Sequence, residues 1–255
     1  MPKLKFISRV GVGLDAIDLP AATKRRVQVT NVPDYGIDEV ATHSIAMLLA
    51  HARGLYTAFE QADRQVWDAT TVRPLRRLAG QTLGVVGFGR IARAMATKGL
   101  GLNLRVLAYD PYVSDDAIRA AGCIPATLDT LLAESDYISL HSPLTPETRH
   151  MINADALAKM KPTAFLINAA RGPLIDEEAI VAAINSGKLA GVALDVFATE
   201  PLPADSPLWN NPHIWITPHA AWYSEQAKVD MRVGGAEEVR RALNGEPPKN
   251  PVNKI

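Results

Sequence analysis

The chain has 255 residues with 27 basic and 27 acidic side chains, a formal charge of zero, and at about 150 residues per domain it holds one large domain or two modest ones. Hydrophobic residues make up 47% and charged residues 21%, which excludes a disordered or fibrous chain. Neutrality supplies no field for phosphate backbones or anionic lipid, which argues against nucleic-acid and membrane partners and permits self-association. Leu4 to Arg9 reads as a strand running into the flexible Val10-Gly11-Val12-Gly13. Asp18 then caps a short helix through Arg25, and Val27 to Asn31 forms a second strand. Asn31 to Gly36 has turn chemistry, and from Glu39 an apolar stripe at helical spacing (Val40, Ile45, Leu48, Leu49) continues toward Ala62 as one long helix.

After the polar stretch Asp68 to Arg77, the apolar strand Thr82 to Val86 feeds a glycine-rich turn and a helix through Lys98. Strands follow at Arg105 to Asp110, Tyr137 to His141, Ala164 to Asn168, Leu189 to Val196 and His213 to Thr217. Helices are expected at Ser114 to Ala121, Leu128 to Ala133, Ala154 to Met160, Glu177 to Ser186 and Glu225 to Leu243, the last stopped by Asn244-Gly245. Strand and helix alternate throughout, so the fold class is α/β, a doubly wound parallel sheet.

Gly87-x-Gly89-x-x-Ala92 lies between a strand and a helix, where a dinucleotide fingerprint belongs: the first Gly makes the tight turn, the second lets pyrophosphate approach the backbone, and Ala92 lets helix pack on strand. Phosphates would rest on the helix N-terminus. On these six residues alone a ligand-free turn reads equally well. Asp110, at the end of the next strand, is spaced for a ribose-binding carboxylate that would repel a 2′-phosphate, which favours NAD over NADP; the alternative is a cap before Pro111.

Arg171, Glu200 and His219 follow the C-terminal ends of later strands, where open parallel sheets bind ligands. An Arg offers a planar fork to a carboxylate, a His trades a proton near neutrality, and a Glu orients that His. Singly, each also reads as a loop charge, a solvated turn or a packed imidazole; their shared placement points to a 2-oxo acid held by Arg171 and protonated by His219. The remaining histidines, His43 and His51 on the long helix and His141, His150 and His213, lack metal-ligand spacing, so no metal is expected. The single cysteine, Cys123, excludes an internal disulfide and reads as a small buried hydrophobe. No apolar run reaches the ~18 residues of a membrane span and residues 1–7 lack a signal peptide's core, so the expected location is cytoplasmic. Trp222 and Tyr223 read equally as packing or as a pocket wall.

These motifs, together with Arg9-Val10-Gly11-Val12-Gly13-Leu14-Asp15, His141-Ser142-Pro143-Leu144-Thr145, Asn168-Ala169-Ala170-Arg171-Gly172, Ala193-Leu194-Asp195-Val196-Phe197, Glu200-Pro201 and Thr217-Pro218-His219, resemble the D-isomer-specific 2-hydroxyacid dehydrogenases over nearly the whole chain. The resemblance implies an oxidoreductase with NAD as cofactor and a 2-oxo or 2-hydroxy acid as substrate, with Arg171, Glu200 and His219 catalytic. It implies a cofactor site of Gly87, Gly89, Arg90, Ile91, Ala92, Asp110, His141, Ser142, Pro143, Ala169, Ala170, Arg171, Asp195, His219 and Ala221. Substrate would meet Val12, Gly13, Arg171, His219 and Trp222. Within the family, the run from His219 to Ala227 is similar to the C-terminal-binding-protein branch, which implies an apolar or thioether substrate tail facing Trp222.

The implied division is a remnant of a flavodoxin-like substrate domain over 1–32, a Rossmann NAD-binding domain over 33–219, and a segment 220–255 returning to the substrate domain. Family members carry further β-α units before the strand matching Leu4 to Arg9, on the order of 60 residues at about two units of ~30. A partial substrate domain is expected to lower rate more than NAD affinity. A homodimer through the nucleotide domain is also implied. The other class of reading is an NAD(H)-binding interaction module with vestigial chemistry.

Overall fold

A computed structural model describes residues 3–255; Met1 and Pro2, which open the expected segment 1–32, lie outside the described residues. The chain forms two compact units, one taking the chain up to Glu39 together with Trp222–Ile255, the other taking Val40–Ala221.

In the first unit, strand β1 (Phe6–Arg9) pairs in parallel with β2 (Gln28–Asn31) through helix α1 (Leu19–Lys24). Asp18 caps α1 by accepting from the Ala21 N–H at 2.9 Å. The final helix spans Glu225–Leu243, as its flanking residues dictate: Ser224 accepts from the Ala227 N–H at its start. The C-terminal tail closes the outer edge of β2. Val252 N–H donates to Val29 O, and Asn253 Oδ1 accepts from Val29 N–H at 2.8 Å. Buried Glu238 holds that tail by accepting from the Lys249 and Asn250 N–H groups.

In the second unit, which takes helix α2 (Ile37–Ala52) from Val40 onward, α2 is followed by α3 (Leu55–Asp63). The long helix expected through Ala62 is therefore two. Gly54 adopts φ +60° between them, a left-handed residue that no helix continues through. The sheet consists of β3 (Thr82–Val86), β4 (Arg105–Tyr109), β5 (Ile124–Pro125), β6 (Tyr137–Leu140), β7 (Phe165–Asn168), β8 (Gly191–Leu194) and β9 (Ile214–Ile216). Their order is β5-β4-β3-β6-β7-β8-β9, every pair parallel. β5 is too short to have carried a periodic signal and was not expected.

Burial on both faces explains the apolar runs of β3, β6, β7 and β8, whose residues are all buried. Val86, Ile138, Leu140, Leu166 and Leu194 pack with helices α6 (Leu128–Glu134), α7 (Ala154–Lys159) and α8 (Glu177–Asn185). Leu83, Val85, Phe165 and Ile167 pack on the other face with α2 and α4 (Arg90–Gly101). Helix α5 (Asp115–Ala120) completes the unit, capped by Ser114. Strand order reverses between β3 and β6, which places a ligand crevice beyond their C-terminal ends.

His51 of α2 stacks on Phe165 at 3.9 Å, and burial, reinforced by His213, pulls it down to about 4 from 6.5. Between these values an unfolded chain binds a proton that the fold refuses. Stability is therefore full above pH 6.5, falls as pH drops toward 4, and loses about 3 kcal/mol on this account. We expect His51→Phe to flatten this part of the pH dependence, read as the difference in melting temperature between pH 7 and pH 4.5; an equal drop in both proteins would assign the acid sensitivity elsewhere.

Candidate active site

The glycine turn sits at the switch point. Gly87 has φ +86°, and a Cβ there would lie 2.9 Å from the backbone of His141 and Ser142 at the end of β6, so only glycine fits. Above Gly89 a Cβ would meet nothing within 4 Å. Gly89 is the N-cap of α4, which has no side-chain cap and no acidic residue in its first turn, so the first N–H groups, near Arg90 and Ile91, face a space suited to an anion. Ala92 is fully buried against the sheet. Asp110 serves the turn directly: one oxygen accepts from Phe88 N–H at 2.7 Å, the other from Tyr112 N–H at 2.8 Å. Its carboxylate thus caps the chain after β4, and with about four acceptor positions it retains capacity for ribose hydroxyls. Open space above Gly89, an uncapped helix start and this carboxylate suit a dinucleotide.

His141 turns its ring inward onto Ser139 Oγ at 2.9 Å, and burial pulls it down to about 4. Its backbone rather than its imidazole therefore borders the glycine turn. Ser142 beside it is buried and Pro143 exposed.

Two buried polar residues at strand ends carry the remaining loops. Asn168 donates to Arg171 O at 2.9 Å and accepts from Ala170 N–H at 3.1 Å, fixing the turn Ala169-Ala170-Arg171. Asp195, 1% exposed, accepts from Thr217 Oγ1 at 2.6 Å, Ala220 N–H at 2.8 Å and Ala221 N–H at 3.0 Å. It thereby holds the turn on which His219 stands. His219 has φ +53°, a left-handed conformation that costs a non-glycine residue about 1 kcal/mol. Its Nδ1 lies 2.6 Å from Glu200 Oε2, and Glu200 Oε1 accepts from Phe197 N–H at 3.0 Å. The carboxylate can only accept, so Nδ1 carries the hydrogen and Nε2 is the outward nitrogen. The Arg171 turn approaches the Glu200 turn through Gly172, where a Cβ would lie 1.9 Å from Phe197 C.

The structure thus joins His219 to Glu200 and sets the Arg171 turn against the turn bearing Glu200. In the first unit, the carbonyls of Val12 and Gly13 are taken by Asn31 Nδ2 at 2.9 Å and Arg9 Nε at 3.0 Å. Trp222 packs edge-on against Tyr35 with ring centroids 6.0 Å apart. His43, set aside on sequence grounds, contacts Thr217 Oγ1 at 3.1 Å; its partner is 174 residues away, and no local spacing signals it. Among the described residues, no group of three or more His, Cys, Asp or Glu is placed to hold a metal, and no helix is long and apolar enough to cross a membrane.

A doubly wound sheet with a glycine turn at the switch point, an acidic residue after the second strand and a His-Glu pair at later strand ends defines a dinucleotide-binding architecture. Residues 45–221 match the profile of the D-isomer specific 2-hydroxyacid dehydrogenase, NAD binding domain, and the chain belongs to that family. It is similar to D-3-phosphoglycerate dehydrogenase of Synechocystis sp., 42% identical over 251 residues, covering 98% of this chain and 45% of that protein. The Mycobacterium tuberculosis protein of the same name is 42% identical over 252 residues, covering 99% and 47%. The chain spans about half the length of these curated relatives. Among solved structures, D-lactate dehydrogenase from Aquifex aeolicus, complexed with NAD and lactic acid, superposes with TM-score 0.93 at 35% identity, covering 100% of this chain and 82% of that one.

Proposed function

We propose that this protein interconverts a 2-oxo acid and a D-2-hydroxy acid with NAD(H). The observation that carries the reading is the 2.6 Å contact between His219 Nδ1 and Glu200 Oε2. Glu200 fixes the imidazole so that Nε2 gives a proton to the substrate oxygen in reduction and takes it back in oxidation. Arg171 binds the substrate carboxylate with its planar fork and polarises the neighbouring ketone. The backbone at Val12 and Gly13 is assigned to the same carboxylate, and Trp222 to the substrate tail, which favours an apolar or thioether group. Gly87, Gly89, Arg90, Ile91, Ala92, Asp110, Ala169, Ala170, Asp195 and Ala221, with the backbone of His141 to Pro143, would hold NAD, which supplies the hydride when bound. Residues 33–219 are assigned to nucleotide binding, with 1–32 and 220–255 in the substrate domain.

The test follows NADH and NADPH oxidation over a panel of 2-oxo acids, with cofactor binding read by fluorescence. We expect turnover with at least one acid and a preference for NADH, set by Asp110. Binding of NADH without turnover on any acid would overturn the dehydrogenase reading and leave a cofactor-binding module.

The homodimer is assigned to the nucleotide domain on the strength of exposed apolar side chains on and after α3: Leu55, Tyr56, Phe59, Val66 and Trp67, the last wholly uncovered. Light scattering should give twice the chain mass for the wild type and a lower mass for the Phe59→Glu, Trp67→Glu double variant. A monomeric wild type would refute the assignment.

A further inference from the structure

We propose that His43 is a positioning residue for the reaction above, holding the His219 turn in place through Thr217 and Asp195. This rests on the dehydrogenase reading. Thr217 donates its hydroxyl hydrogen to Asp195 Oδ1 at 2.6 Å, so toward His43 the Thr217 oxygen can only accept. His43 Nε2, 3.1 Å away, therefore carries the hydrogen in the neutral ring, and it also lies 3.8 Å from Asp195 Oδ1. A directed chain results: imidazole N–H to hydroxyl, hydroxyl to carboxylate.

That chain ends on the two residues that hold His219. The His219 N–H is shared between Asp195 O at 2.9 Å and Thr217 O at 3.0 Å. The Asp195 carboxylate also takes the next two N–H groups, Ala220 and Ala221. A left-handed backbone at His219 persists only where its surroundings over-determine it, and His43 fixes the rotamer of the hydroxyl at the centre of those bonds. Its side chain is a quarter exposed, so it is not required to fill the core. Its contribution is the hydrogen bond.

Three variants test this: His43→Ala, His43→Gln, whose amide N–H reaches the same hydroxyl, and Thr217→Val. In His43→Ala and Thr217→Val we expect kcat to fall about 10- to 100-fold, while KM for the 2-oxo acid and NADH affinity stay within about threefold. The double variant should be no worse than either single, because both break one chain. His43→Gln should recover most of the rate. In nitrogen-15 spectra of labelled histidine, the His219 ring signals should move or broaden in His43→Ala and return in His43→Gln. A wild-type rate with unmoved His219 signals in His43→Ala overturns the proposal, and so does a glutamine variant as impaired as alanine. Where His43→Ala fails to fold, Thr217→Val carries the test on the same terms. If the wild type turns over no acid, the dehydrogenase reading falls separately, and the His219 signals still decide whether His43 holds the turn.

Discussion

His219→Ala is expected to lower kcat at least a thousandfold, equivalent to about 4 kcal/mol of barrier, while NADH affinity changes little. On the proposed reading, the outward Nε2 is the atom that moves the proton, and its partner nitrogen is held by Glu200. The substitution removes the acid without disturbing the scaffold, because the turn is held by backbone bonds to Asp195 and Thr217 rather than by the imidazole. Alanine bears the left-handed backbone at a similar energy, so the melting temperature should stay close to wild type. Steady-state rates with cofactor titration by fluorescence provide the check. A large loss of NADH affinity would show that the imidazole serves the cofactor instead.

Gly172→Ala is expected to destabilise the fold by about 3 kcal/mol or more, lowering the melting temperature by roughly 6–12 °C for a unit of this size. The added carbon would lie 1.9 Å from Phe197 C, 2.1 Å from Phe197 O and 2.4 Å from Ala198 N. All three are backbone atoms, where no side-chain rotation relieves the clash. The two turns must separate, and they bear Arg171 and Glu200. Activity should therefore fall even at temperatures where the variant remains folded. Differential scanning calorimetry with rates on the folded fraction measures both effects; wild-type values in each would mean that the turns part without penalty.

The sheet and its motif-bearing turns were legible in the sequence because parallel strands buried on both faces read as short apolar runs, and the site residues sit directly after them. The final helix was equally plain, with Ser224 before it and Asn244-Gly245 after it. The break between α2 and α3 was not. The apolar spacing runs on through Leu55 and Phe59, and only the backbone angle of Gly54 interrupts it. Asp110 shows another limit: spacing singled out the carboxylate, yet its two bonds to Phe88 and Tyr112 N–H are those of the turn-capping alternative, which spacing could not tell from the proposed ligand role. His141 was placed at the cofactor site by resemblance, whereas burial turns its ring to Ser139. The tie between His43 and Thr217 joins a helix to a strand end far along the chain, and such contacts exist only after folding.

The glycines of the nucleotide turn answer to different constraints. Gly87 is imposed by neighbouring backbone, as is Gly172, so any screen that scores folded protein alone will retain both. Gly89 faces open space in a conformation that other residues adopt. A library selected for solubility or thermal resistance would let that position drift unnoticed, whereas one selected for growth on the proposed reaction is expected to hold it fixed. The ratio of tolerated substitutions at 89 between two such libraries is thus a direct genetic measure of how much the cell depends on the ligand rather than on the fold.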